Sequence, residues 1–393
     1  LPLPPPLSLF PSLLRAPGLS LSDLASNSRA TLRALQFGDE QLAQLDRVDA
    51  LQFLTACGAT TNMIDWFWRL AAMTTLNVPL ERCSAAALLR VHAQISAHRG
   101  FHFGFAQIGL SDLYAMPALR AIEALGGRVV THARVVRAER EGGAHVVKTA
   151  DGRRFAARHV VYAVPPAELG ALDATLAATR AFRPSPYKSV YLWFDRKITR
   201  ERFWSLMWSP MRLNYDFYDV SNIRPASHEK PSLIASNIIY SHRAAHMTEK
   251  TIVARTLDEL ASFVPAVRAA RLLHADVHHI PMAIPCPHPG TECKRPRTTT
   301  SSSNIFLAGD WTFTQLPSSM ESAARSGYLA AEAVLAAEGR RMPIAIAPRE
   351  YDAIAGWIRR RAKNKHETAI VRYADGCGES CAGYPPSGVP RNI

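Results

Sequence analysis

Six cysteines in 393 residues, Cys57, Cys83, Cys286, Cys293, Cys377 and Cys381, are too few and too irregular to frame a disulfide-held secreted fold. A reducing compartment, the cytoplasm, is the expectation. No run approaches the roughly 18 uninterrupted apolar residues of a membrane-spanning helix. The opening LPLPPPLSLFPSLLRAPGLSL is apolar but broken by six prolines, with no basic stretch ahead of it, so neither a signal peptide nor a span is expected. No Gly-x-Ser-x-Gly, His-Glu-x-x-His or Walker A string occurs, which removes the commonest hydrolase, zincin and P-loop readings.

What is there is ordinary globular material: 48% hydrophobic and 20% charged residues, in a length that suits two or three connected domains. The 46 Lys and Arg exceed the 33 Asp and Glu by 13. The surplus is spread along the chain and is densest at Arg359, Arg360, Arg361, Lys363 and Lys365, beside no nucleic-acid-binding motif, so no nucleic acid is expected as partner. The same stretch combines Ile354, Trp357 and Ile358 with basic residues, a composition that suits either an interfacial helix on anionic lipid or a solvated helix face.

Along the chain, residues 21 to 125 carry apolar positions at three- and four-residue spacing and read as helical. RVVTHARVVRAERE, AHVVKTA and RRFAARHVVYAV, separated by Gly142-Gly143 and Asp151-Gly152 and stopped by Pro165-Pro166, read as a β-meander. Tyr187 to Asp195 alternates as a strand with both faces covered. The aromatics Phe203, Trp204, Trp208, Tyr215, Phe217, Tyr218 and Tyr240 follow, as core or as the lining of an apolar cavity. Cys286 to Ser303 is a Pro/Thr/Ser loop. His278, His279, Cys286, His288 and Cys293 crowd together there, but their spacing matches no metal-binding pattern and no metal is expected. Cys377 and Cys381 read as idle thiols of a terminal tail.

The most informative segment is NIFLAGDWTFTQLPSSMESAARSGYLAAEAVL, Asn304 to Leu335. Ile305 to Ala308 make a short buried strand and Gly309-Asp310 turn out of it. Ser318 with Glu321 suggests a capping box opening a helix. Ala323, Ala324, Gly327, Ala330 and Ala331 give that helix a small-residue face on which a sheet or flat ring can lie. The N–H groups near Ser319 and Met320 can stabilise negative charge.

This string resembles the C-terminal FAD-binding signature of the flavin-containing amine oxidoreductase superfamily, most closely its phytoene desaturase and hydroxysqualene dehydroxylase branch. GLSDLYAMPALRAIEALGGRVVTHARVVRAE, HVVYAVPP and LNVPLERCSAAALLRV resemble further family segments in the family's order, from Leu1 to about Ala337. The resemblance implies a mixed α/β (α+β) fold: a Rossmann-like FAD/NAD(P)-binding domain of amine oxidase type, incomplete at the N-terminus, with an inserted α+β substrate domain. The implied divisions are a helical substrate region (1–108), part of the FAD domain with the meander (109–168), a substrate-binding domain (169–295), the C-terminal FAD segment (296–338) and a basic tail (339–393).

For the cofactor, FAD, the resemblance implies backbone contacts of Val135 with the adenine and a turn at Pro165 beside the cofactor. It implies close backbone approach at Gly309, Asp310 at the ribityl or pyrophosphate, and the helix start at Ser319 and Met320 facing the flavin O2. No catalytic acid or base is implied. The family's opening strand, Gly-x-Gly-x-x-Gly turn and helix have no counterpart here; Gly376 to Cys381 is a near match in letters only, following no strand. The chain is therefore expected to be a fragment that binds FAD weakly or not at all. The expected activity is hydride transfer between flavin and a polyisoprenoid hydrocarbon, by phytoene-type desaturation or hydroxysqualene dehydroxylation, with peripheral contact at the inner membrane face. An amine oxidase, or an inactive relic serving as a binding module, are the alternatives. Oligomeric state is not legible.

Overall fold

The computed structural model describes residues 3–376 apart from 101 and 103. Its first hundred residues are short helices, several opened by side chains that accept from backbone N–H groups: Ser20 from Asp23, Asp49 from Gln52, Thr60 from Met63 and Ser84 from Ala87. Helix α1 (Ser28–Gln36) lies against α2 (Ala85–Ser96), a helix with small or apolar residues on nearly every side and correspondingly buried almost all round. Leu54, Met63, Trp68, Leu76 and Leu88 form the centre of this helical core, which Cys286 joins from far along the chain.

Helix α3 (Met116–Ala124) is exposed along nearly all its length. The meander then appears as β1 (Val135–Glu141), β2 (Ala144–Thr149) and β3 (Arg154–Ala157), antiparallel in that order. Its turns fall at Gly142-Gly143 and Gly152, all at positive φ, where glycine is the residue without penalty. Two details depart from the sequence reading. Residues 128–134 are irregular, with Val129 and Val130 exposed, and the strand begins only at Val135; the Arg134 carbonyl accepts from Ala150 N at 2.8 Å and the His132 carbonyl from Arg153 at 3.0 Å, but among the described residues no strand is paired along 128–134. The third expected strand breaks at Arg158-His159, both of which pair with Glu338, and its remainder, β4 (Val160–Tyr162), leaves the meander.

After α4 (Pro166–Leu172) comes a five-stranded antiparallel sheet of order β6-β7-β8-β5-β9. Its strands are β5 (Pro184–Phe194), β6 (Phe203–Ser205), β7 (Asp216–Asp219), β8 (Leu233–Ile238) and β9 (Leu272–Pro285). Helix α5 (Glu249–Ala261) covers one face through Ile252 and Leu260, packed with Val190, Leu192, Phe194 and Ile234. The other face of β5 is only half-covered: Tyr191 and Trp193 remain partly exposed, so the expectation of two buried faces holds for one. Tyr215 and Phe217 are fully buried and belong to the core.

Strand β10 (Ile305–Leu307) lies parallel to β4, with Ile305, Phe306 and Leu307 opposite Val160, Val161 and Tyr162. Helices α6 (Met320–Ala337) and α7 (Ala353–Gly376) complete the described chain. Leaving one strand and returning in parallel beside it requires a crossover, here the whole five-stranded sheet, so residues 145 positions apart, such as Tyr162 and Leu307, meet at the end of β10.

Candidate functional site

All three side chains of β10 are buried, and Ala308 extends the ladder by donating to the Tyr162 carbonyl at 2.9 Å. Gly309 turns the chain at φ 135°. A Cβ there would stand 2.4 Å from Trp311 Nε1, and Trp311 cannot yield because it is buried, with Nε1 donating to the Val164 carbonyl at 3.1 Å and its ring edge-on to Phe182. Trp311 therefore fastens this turn to the chain leaving β4, next to Pro165. From the other side, Ser326 of α6 accepts from Gly309 N at 2.7 Å. Strand, turn and helix are thus locked together through one glycine.

The following loop has little regular structure, and several of its carbonyls are served by arginines, Arg295 and Arg90 buried and Arg325 half-buried. Arg295 donates from Nη2 to the carbonyls of Asp310 (2.7 Å) and Thr312 (2.8 Å), and from Nη1 to Leu316 (2.9 Å) and Glu292 Oε2 (3.1 Å). Arg90 of α2 donates to the Gln315 carbonyl at 3.0 Å, and Arg325 of α6 to that of Thr314 at 3.1 Å. The buried Glu292 carboxylate lies between Arg295 and Arg90, whose Nε is 3.8 Å away. Gln315 itself sits in the left-handed region, at φ 67°.

Helix α6 opens one residue later than the sequence suggests. Ser319 is its N-cap and accepts from Ser322 N at 3.1 Å, whereas the Ser318 hydroxyl donates to the Asp310 carbonyl and is not free to cap. The small-residue face is also turned. Ser322 and Ser326 point inward because Thr314 and Gly309 engage their hydroxyls, and with Ala330 they form the buried side. Ala323, Ala324, Gly327 and Ala331 face outward, beside the exposed Met320 and Tyr328. Burial pushes the Asp310 carboxyl above its usual range, opposed by the Arg295 charge. What this corner offers chemically is a partly buried carboxyl group, a backbone free of side-chain bulk at Gly309, and the N–H-rich start of an eighteen-residue helix.

Of the residues singled out from sequence, Pro165, Gly309, Asp310, Ser319 and Met320 gather around the ends of β4 and β10. Val135 opens β1 in the neighbouring sheet, joined to this corner where Ala138 packs on the cluster of Tyr162, Leu169 and Trp311. Sequence reasoning missed Arg295, Glu292 and Arg90; a Pro/Thr/Ser loop and a helix 200 residues upstream gave no signal that they meet. The histidines and cysteines of 278–293 are separated: Cys286 is in the helical core, His288 Nδ1 is 3.0 Å from the Arg82 carbonyl and His278 faces Asp276. Among the described residues no group of three or more His, Cys, Asp or Glu is arranged to hold a metal ion. Cys377 and Cys381 lie outside the described residues.

Comparison with known proteins adds the family. Residues 4–335 match the flavin containing amine oxidoreductase family. The chain is 24% identical over 336 residues to a 15-cis-phytoene desaturase of an Oncidium hybrid cultivar, covering 81% of this chain and 57% of the relative. It is 49% identical over 49 residues to hydroxysqualene dehydroxylase of Rhodopseudomonas palustris, 12% of each. Among solved structures, cyclohexylamine oxidase from Brevibacterium oxydans superposes with a TM-score of 0.55 at 16% identity, over 82% of this chain and 76% of that one. Even where it matches over most of its own length, the chain spans little more than half of its curated relatives.

Proposed function

Because the chain belongs to the flavin containing amine oxidoreductase family, we propose that it is an FAD-dependent oxidoreductase whose substrate is a polyisoprenoid hydrocarbon. The observation that carries this reading is the corner where β4, β10 and α6 are locked through Gly309. The start of α6 presents backbone donors and a positive dipole end, which suit a flat, electron-accepting ring, and the Asp310 carboxyl lies in the same corner. Bound there, the flavin supplies the hydride chemistry.

The chain's own groups hold and shield. The backbone at Gly309 would lie by the ring edge, the N–H groups at Ser319 and Met320 would favour negative charge on it, and Asp310 would accept from hydroxyls of the ribityl chain. Pro165 would border the same corner, with Val135 in the adjoining sheet nearer the adenine end. Arg295 and Arg90 keep the loop in place by binding the carbonyls of Asp310, Thr312, Gln315 and Leu316. The fit concerns the ring end: among the described residues no strand runs through a Gly-x-Gly-x-x-Gly turn into a helix to serve the pyrophosphate.

A hydrocarbon substrate is supported by the phytoene desaturases and the hydroxysqualene dehydroxylase among the relatives. Such a molecule has almost no polar handles, so its recognition rests on apolar walls and on placement of one carbon against the ring. The test is product analysis after incubation with FAD and either phytoene or hydroxysqualene in vesicles. Conversion of one of them supports the reading. Turnover of a primary amine with neither hydrocarbon consumed overturns it in favour of an amine oxidase.

A further inference from the structure

The basic residues of α7 divide between two sides, and one side faces a cavity. Ala355 and Ile358 pack α7 on Leu35 of α1, which brings Arg359, Arg360 and Lys363 to the wall of a space shared with the end of α1 and with α2. Its volume is about 370 Å3, the size of a small-molecule site. The buried Arg90 of α2 and the half-buried Tyr351 stand in the same wall, with Asp39 and Gln315. Gly356 lets the wall close up, since Arg360 Nη1 comes within 3.2 Å of where a Cβ at that position would stand. Arg361 lies outside the cavity, its guanidinium 5.2 Å from the centroid of the Trp357 ring. Through Arg90 and Asp39, which hold the carbonyl and the side-chain amide of Gln315, the cavity adjoins the loop that follows Gly309.

The charges of this wall do not cancel. Asp39 accepts from Arg90 Nη2 at 3.4 Å and from the Gln315 amide at 3.2 Å, and Arg349 is paired with Asp352. Arg359 donates to the carbonyls of Gln36 and Phe37, which leave its charge uncompensated. Arg360, Lys363 and Glu350, all exposed, have no hydrogen-bonding or ionic partner among the described residues. The cations Arg359, Arg360 and Lys363 therefore face the single free carboxylate of Glu350, a surplus of two. That surplus matches the charge of about −1.5 to −2 that a phosphomonoester carries at neutral pH, and guanidinium forks suit its oxygens. Tyr351 adds a neutral donor. Its hydroxyl has no partner among the described residues, and burial pushes it above the usual tyrosine range, against the pull of Arg359 and Arg90, so it stays protonated. Glu350 and Asp39 would repel a bare anion but accept from hydroxyl groups, so the two kinds of wall suit phosphate and hydroxyls on one molecule.

We propose that this cavity binds a small hydroxylated phosphomonoester, its phosphate held by Arg359, Arg360, Lys363 and Tyr351 and its hydroxyl groups by Glu350 and Asp39. The proposal stands independently of the flavin chemistry. It is tested by isothermal titration of the full 393-residue chain at neutral pH with ribose 5-phosphate, inorganic phosphate and ribose, beside flotation with vesicles containing phosphatidic acid. The expected result is binding of ribose 5-phosphate, about tenfold weaker binding of inorganic phosphate and none of ribose. Arg360→Gln with Lys363→Gln, both at exposed sites, is expected to weaken binding about a hundredfold, and circular dichroism checks that the variant stays folded. Tyr351→Phe is expected to weaken it about fivefold without lowering the melting temperature, because the hydroxyl has no partner to lose. Arg361→Gln, on the same helix but outside the cavity, should change it by less than about twofold. No binding of ribose 5-phosphate, equal affinity for inorganic phosphate, or capture by the vesicles alone would each overturn the proposal. So would a folded Arg360→Gln, Lys363→Gln variant that binds as before, or an Arg361→Gln variant that loses as much as that pair, since the attraction would then be diffuse charge.

Discussion

Arg295 is the residue on which the corner of β4, β10 and α6 depends most. It is buried, and its guanidinium serves three loop carbonyls and Glu292. Arg295→Met removes those donors and leaves the Glu292 carboxylate with only the more distant Arg90, so a loss of about 3–5 kcal/mol in urea unfolding is expected. Gly309→Ala forces a Cβ against a tryptophan that is hydrogen-bonded and buried, at a φ that L-residues avoid; about 1–3 kcal/mol is the expected cost, with loss of flavin binding beyond it. His92 supplies a pH dependence. Burial lowers its pKa from 6.5 to about 4, so the folded state resists a proton that the unfolded chain accepts. Stability from this group is complete above pH 6.5 and falls as pH drops toward 4, by about 3 kcal/mol in all. His92→Gln should flatten that part of a stability–pH curve, which thermal melts between pH 4 and 7 will read.

At the scale of elements, the strand–turn–helix of 304–337 was legible because its signals are local: three apolar residues, a Gly-Asp turn, serine caps and a helical period. The cap slipped by one residue and the small-residue face by part of a turn, because the hydroxyls of Ser318, Ser322 and Ser326 are claimed by partners in the preceding loop. Local sequence does not record such claims. For the same reason Arg295 and Arg90 were invisible: their function lies in carbonyls brought to them by the crossover between β4 and β10. The expected strand at 128–134 failed for the converse reason, since a strand needs a neighbour as well as a pattern. Ser319→Ala should cost about 1 kcal/mol and fray the start of α6, visible as faster amide exchange in its first turn.

At the scale of the whole molecule, two exposed apolar faces have different characters. One, residues 3–36, exposes Leu7, Phe10, Leu14, Leu21 and Leu32 and covers a cavity. The other runs from Leu110 through α3 to Val130 and includes Leu125 at 89% exposure. Uncovered apolar surface of this kind drives association, so the isolated chain is expected to self-associate in sedimentation. Replacing Leu110, Leu113 and Leu125 by Gln should reduce that association without lowering the melting temperature, because those side chains are exposed in the fold.

Titration of the purified chain with FAD and with riboflavin, followed by quenching of flavin fluorescence, beside Gly309→Ala, tests whether the ring end of a flavin is held at Gly309 and the start of α6. Weak binding of both is expected, with affinities within about tenfold of each other because the ring and ribityl would carry the contacts, and loss of both in the variant. FAD held stoichiometrically while riboflavin is ignored, or neither ligand bound at all, would contradict it.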